Sequence, residues 1–165
     1  MRARNFDFEL ILRILSNHQV SYIVVGGVCA TFHGVTVPTF DLDIVPLRTP
    51  DNLTHLEEAL RELDTYYREH PPYRFLPVAQ RMDTPGRHLL MTRAGAMDVL
   101  GTIALNRYYE QLLPHTVEVS LGEGVQVRIL DLPTLIQTKN ETGRRKDFQV
   151  LPILKQALEE SNRIN

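Results

Sequence analysis

Val24-Val25-Gly26-Gly27 and, after a short apolar stretch, Thr39-Phe40-Asp41-Leu42-Asp43-Ile44-Val45 constrain this chain more than any other part of it. The pattern predicts a strand, a glycine turn, a helix and a second strand that carries two carboxylates. Side chains alternate along a strand, so Asp41 and Asp43 share one face while Leu42 and Ile44 take the other. Two carboxylates this close repel one another, and on so apolar a strand a bound divalent cation is the natural means of keeping both ionised. Gly26 and Gly27, just ahead of the helix, offer backbone N–H groups that phosphate oxygens can approach with no Cβ in the way.

A chain of 165 residues suits one domain with a real core, and we expect a single unit over residues 1–165. Hydrophobic residues at 43% and charged residues at 23% are ordinary for a globular protein. The formal net charge of −2 gives no global attraction to nucleic acid or to an anionic membrane, so any polyanion site must be a local patch. Cys29 is the single cysteine, which excludes an intramolecular disulfide and a multi-cysteine zinc site. Within an apolar stretch it reads as an inert core thiol. No run approaches a bilayer span and the opening residues lack a signal peptide's apolar centre, so the expected location is cytoplasmic, with no membrane partner.

Phe6, Leu10, Ile11, Ile14 and Leu15 recur at helical spacing and predict an amphipathic helix over 6–17. Residues 20–25 read as a buried strand, and a short helix with Cys29, Ala30 and Phe32 runs from the glycine pair to Gly34. Pro38 forces an extended approach to the aspartate strand. A further helix opens at Pro50-Asp51-Asn52, with Leu53, Leu56, Leu60 and Leu63 as its apolar stripe. From about 66 to 87 the prolines Pro71, Pro72, Pro77 and Pro85 predict an irregular, substrate-facing loop. Residues 88–92 and 97–103 predict a hairpin, and 117–120 with 125–129 a second around Gly122-Glu123-Gly124. Asp131 is a good N-cap for a helix ending at Gly143. A last helix over 146–160 turns Phe148, Leu151, Ile153 or Leu154 and Leu158 inward, with Pro152 bending or shortening it.

Phosphoryl-transfer sites place oxygen ligands on rigid elements, and Mg²⁺ takes one or two carboxylates besides phosphate and water. Asp41 and Asp43 supply a pair. Asp98 is the best third candidate, because it interrupts the apolar strand Ala96-Met97-Asp98-Val99-Leu100, where a charge must be paired, liganded or turned to solvent. Asp83, in a loop, and Asp131, explained by capping, are weaker rivals. Solvated carboxylates on an exposed strand face are the bland alternative for all three.

With these residues in view the chain resembles the nucleotidyltransferase superfamily of DNA polymerase β, in particular small bacterial single-domain members related to toxin and antiphage nucleotidyltransferases. The resemblance rests on Gly26-Gly27, His33-Gly34, Thr39-x-Asp41-x-Asp43, Asp98 and the distal Leu135-Ile136-x-x-Lys139-x-x-x-Gly143-Arg144-x-Lys146-Asp147. It implies an α+β fold, a small mixed sheet flanked by helices, with the C-terminal helices over 131–160 packed on it. It implies Mg²⁺ or Mn²⁺ on Asp41, Asp43 and Asp98, and a nucleoside triphosphate, ATP among them, held by Gly26, Gly27, Thr39, Lys139 and Arg144. Val37 and Phe40 stand where relatives often carry cations.

Lys139, Arg144, Arg145 and Lys146 form the densest basic patch, which either holds phosphates or is a solvated helix end. His33 reads more readily as a capping or packing histidine than as a ligand. Tyr66, Tyr67, Tyr73 and Phe75, interleaved with Arg68, Arg74 and Arg81, either stack on a base or pack their own loop down. The leading expectation is a metal-dependent nucleotidyltransferase that moves a nucleoside monophosphate to a hydroxyl, releasing pyrophosphate. Its acceptor is open between a small molecule, a protein and tRNA. The alternative, favoured by Val37 and Phe40, is a catalytically degenerate module of the same fold that binds a protein or RNA partner. A phosphohydrolase using water as acceptor is the third reading.

Overall fold

The computed structural model describes residues 6–164. The first helix, α1 (Phe8–Asn17), starts where the Asp7 carboxylate accepts from the Leu10 amide at 3.1 Å, and it buries Ile11, Leu12, Ile14 and Leu15. The wholly buried strand β1 (Tyr22–Val25) leads directly into α2 (Gly26–Phe32), and an extended segment follows to β2 (Asp41–Pro46). Thr49 caps α3 (Pro50–Glu62) through the Asn52 amide, with Pro50 at the first helical position, where its missing N–H costs nothing. Next come β3 (Tyr66–Tyr67), α4 (Ala79–Met82) and the hairpin β4 (Arg87–Thr92) and β5 (Gly95–Leu100). A short α5 (Tyr109–Leu112) precedes the second hairpin, β6 (Thr116–Gly122) and β7 (Val125–Leu130). The chain closes with α6 (Leu132–Thr142) and α7 (Arg145–Ile164).

All strands join one mixed sheet in the order β3-β4-β5-β2-β1-β7-β6. The aspartate strand β2 lies inside it, antiparallel to β1 and parallel to β5. Leu42 and Ile44 on β2 and Met97 and Val99 on β5 lie in the core beneath the sheet face opposite to Asp41 and Asp43. The architecture is the mixed sheet with flanking helices that the sequence led us to expect. No helix among the described residues is long and apolar enough to cross a membrane.

Four local readings are corrected. The stretch 66–87 is not wholly irregular: Tyr66 and Tyr67 add an edge strand to β4, and 79–82 form one helical turn. Two residues held by backbone bonds leave no periodic trace in a sequence. Strand β5 stops at Leu100, and at the next residue the backbone of Thr84 and Pro85 packs so closely that Gly101 has no room for a Cβ. Pro152 does not shorten α7, which runs on to Ile164, since it sits on the helix's exposed side, where water can take the Phe148 carbonyl that has lost its donor. Phe148 points outward, and of the two alternatives Ile153 and Leu154 it is Leu154 that joins Leu151 in the buried stripe.

Asn52 ties the first turn of α3 to the strand ends. Its Oδ1 accepts from the Ser21 amide at 2.7 Å, and its Nδ2 donates to the carbonyls of Ser21 at 2.9 Å and Leu47 at 2.7 Å. This buried amide thus places both of its N–H donors and its oxygen on backbone groups at the ends of β1 and β2. Asn52→Ala should therefore cost about 3 kcal/mol, read as a lower denaturant midpoint at unchanged slope. A loss below about 1 kcal/mol would mean that water replaces the amide freely.

Candidate active site

Parallel pairing of β2 with β5 sets Asp43 directly beside Asp98 in register, and Asp41 lies one step along the same face. One carboxylate oxygen from each of Asp41, Asp43 and Asp98 falls within 4.8 Å of the other two. Asp98 is 3% exposed, while the other two are half-buried. Burial, with the Asp41 and Asp98 charges next in importance, pushes the Asp43 carboxyl up to about 7, against modest relief from Lys146 and Arg87. Asp41 is raised for the same reasons, burial first and then Asp98, with Arg68 and Lys146 opposing. Three acidic oxygens so close, two of them reluctant to ionise, are a hard donor set suited to Mg²⁺ or Mn²⁺.

Asp98 also has a protein counter-charge. Arg68, just after β3, donates through Nη1 to Asp98 Oδ1 at 2.7 Å and to the Leu90 carbonyl at 2.9 Å. Arg87 on β4 places Nη2 at 3.9 Å from Asp98 Oδ2. Neither arginine stood out in the sequence as a partner of the carboxylates. Arg68 reads as part of an aromatic loop, and Arg87 as the last residue of the irregular stretch over 66–87.

Gly26 serves this cluster sterically. Its φ of +71° is left-handed, and a Cβ built on it would overlap the Asp43 carboxylate. A Cβ on Gly27 would press against Thr39, 3.1 Å from Oγ1, and Thr39 itself donates to the Val37 carbonyl. The glycine pair thus makes room for the side chains of Thr39 and Asp43.

The carboxylates open into a cleft of ≈ 350 Å³, with Arg87 on one wall and Arg144 and Lys146 on another. Asp147, 1% exposed, organises that second wall. Its Oδ2 accepts from Arg144 Nε at 3.0 Å, and its Oδ1 lies 3.4 Å from Lys139 Nζ. Lys139 is therefore engaged beneath the wall, while Arg144 and Lys146 line the cleft. Gly143, with φ +64°, caps α6 and turns the chain into α7 at this point. Asp147 closes the distal motif in the sequence, and its Arg144-x-x-Asp147 spacing at a helix start is the signal for its role as the anchor of Arg144.

The remaining candidates pack or cap. His33 Nε2 meets the Leu130 carbonyl at 2.8 Å, and the Cys29 thiol, pushed up to about 12 by burial, bonds the same carbonyl at 3.4 Å. Tyr67 bonds His88 at 2.9 Å, Arg74 lies over Tyr66, and Tyr73 stacks on Phe75, so the aromatics chiefly hold their own loop.

No protein-family model and no curated protein matches the sequence. Solved structures do match. A candidate nucleotidyltransferase from Thermotoga maritima superposes at a TM-score of 0.53 and 17% identity, over 93% of this chain and 91% of that one. The fold is nucleotidyltransferase-like. At that identity the likeness concerns the fold alone, and the chemistry of the nucleotidyltransferase-like frame must be argued from the carboxylates and the cleft.

The raised Asp43 and Asp41 carboxyls set a sign for pH. Between the ordinary 3.8 and about 7 the folded, metal-free chain holds a proton on Asp43 that the unfolded chain has released, so stability falls as pH rises through this window. Metal-free wild type should therefore lose melting temperature relative to Asp43→Asn on going from about pH 5 to about pH 8. Adding Mn²⁺ should restore it at the higher pH far more than at the lower. Parallel pH profiles for the two proteins would contradict this account of the cluster.

Proposed function

We propose that the chain is a metal-dependent nucleotidyltransferase. It transfers a nucleoside monophosphate from a nucleoside triphosphate to a hydroxyl-bearing acceptor and releases pyrophosphate. The observation that carries the reading is the convergence of Asp41, Asp43 and Asp98 within 4.8 Å in a cleft walled by Arg87, Arg144 and Lys146. Asp41, Asp43 and Asp98 would hold the Mg²⁺ or Mn²⁺. When bound, the metal supplies positive charge to the transferring phosphoryl group and to the leaving pyrophosphate. Arg87, Arg144 and Lys146 bind the remaining phosphate oxygens, and the Asp147 bridge fixes the direction of Arg144. Asp98, held by Arg68, accepts the hydrogen bond of the incoming hydroxyl and orients it. The acceptor oxygen then bonds to the α-phosphorus as the bond to the bridging oxygen breaks, pyrophosphate leaves, and the hydroxyl proton passes to the Asp98 carboxylate.

Val37 and Phe40 leave the approach to β2 without cations, which was the ground for a degenerate binding module. The cations of the cleft walls supply that charge from other elements, and this supports the enzyme over the module. We also propose that residues 1–165 act as one catalytic unit related to the small toxin and antiphage enzymes, working in the cytoplasm, with a small molecule, a protein or tRNA as acceptor.

Calorimetric titration with each nucleoside triphosphate, with and without Mg²⁺, tests the reading. Binding should require the metal and vanish in Asp41→Ala/Asp43→Ala, while that variant keeps a cooperative unfolding transition. In a transfer assay Asp43→Ala should fall by about a thousandfold or more. Full transfer by Asp43→Ala would refute the mechanism, and metal-independent binding would favour the partner-binding module.

A further inference from the structure

Beyond the metal and phosphate groups, the cleft has a third wall of different chemistry. The segment after β5 turns back on itself, with Ile103 and Arg107 exchanging two backbone hydrogen bonds of 2.8 Å. Leu105 and Asn106 occupy the bend with φ of +55° and +58°. Consecutive left-handed residues of this kind normally select Asn-Gly, and a leucine there carries a penalty from its Cβ. Leu105 is nevertheless 73% exposed, so no core packing accounts for it. Leu100, Ile103, Ala104, Leu105 and Asn106 all line the same cleft as the carboxylates.

The bend is held rigidly. Arg107 reaches α6 with Nη1 at 2.7 Å from Glu141 Oε2 and Nη2 at 2.8 Å from Oε1. These bonds keep the Glu141 carboxyl below its usual range. They also set the spacing between the bend and Thr142, which lines the cleft from the other side. The hydroxyls of this region are already committed, Thr102 to the Pro85 carbonyl at 3.0 Å and Thr142 to that of Thr138 at 2.8 Å. Asn106 makes no side-chain hydrogen bond among the described residues, and its amide offers both donor and acceptor.

We propose that the Ile103–Asn106 bend is the nucleobase-binding wall of the cleft, with Leu105 packing on the face of the base and Asn106 reading its polar edge. The inference rests on the nucleotidyltransferase reading and deepens it. Carboxylates, then cations, then an apolar surface with one free amide match in kind the metal-bound phosphates, the remaining phosphate charge and the base of a nucleoside triphosphate. Backbone strain held at an exposed position beside a site is the sort of feature that function retains.

Calorimetry with Mn²⁺ and, in turn, ATP, GTP, CTP, UTP and inorganic tripolyphosphate tests this on wild type, Leu105→Gly and Asn106→Gly. Wild type should bind at least one nucleotide more tightly than tripolyphosphate. Leu105→Gly relieves the left-handed strain, so it should melt no lower than wild type while binding that nucleotide about tenfold more weakly. Its tripolyphosphate affinity should be unchanged. Asn106→Gly should narrow the spread of affinities among the four nucleotides. If wild type binds nucleotides and tripolyphosphate equally, or if Leu105→Gly retains full nucleotide affinity, the base wall is wrong while the nucleotidyltransferase reading stands. If neither nucleotide nor tripolyphosphate binds with Mn²⁺, both fall.

Discussion

Mutual repulsion of three carboxylates is the constraint around which this molecule is arranged. The parallel register that sets Asp43 beside Asp98 brings like charges together at the sheet's surface, where burial strengthens their interaction. The surrounding features answer that cost. Arg68 gives the buried Asp98 a counter-charge, Lys146 and Arg87 ease Asp43, and Gly26 leaves space for the Asp43 carboxylate where any side chain would displace it. The three carboxylates are a donor set that could hold a divalent cation, and no protein cation makes a hydrogen bond or close ion pair with Asp41 or Asp43 among the described residues.

The same economy runs through the cationic wall. Arg144 lies half-exposed at the start of a helix, where a long side chain would ordinarily wander, and the buried Asp147 holds its guanidinium in place. Lys139 adds charge to this support from beneath, so the wall depends on a pair of ion bridges meeting at one carboxylate. On the opposite side the Arg107 and Glu141 pair does comparable work for the bend after β5. The cleft is thus shaped by a short-range bridge cluster at the α6–α7 junction and by one longer-range pair, Arg107 with Glu141, and its carboxylates follow from the sheet order.

What could be read from the sequence follows from locality. That Asp41 and Asp43 share a face needed only the alternation of a strand, and that Asp98 must be partnered needed only its apolar neighbours. The caps Asp131 and Gly143 are likewise short-range chemistry, and both stand at the ends of α6. Arg68 and Arg87 were not legible as partners of Asp98, because nothing local in either segment shows which strand lies alongside. Gly26 and Gly27 were noticed for their backbone freedom, yet their neighbours Asp43 and Thr39 become visible only when the strands are assembled. Leu105 in a left-handed bend contradicts leucine's own preference, so no propensity rule would find it. The two-residue β3 falls below the length at which periodicity exists.

The most direct test of the central claim is crystallographic. Crystals of the chain grown with Mn²⁺ and a non-hydrolysable nucleoside triphosphate, measured at the manganese absorption edge, should show an anomalous peak roughly 2 Å from oxygens of Asp41, Asp43 and Asp98, with phosphate oxygens completing the shell. Manganese bound elsewhere on the chain, with these three carboxylates making no bond to it, would contradict the account.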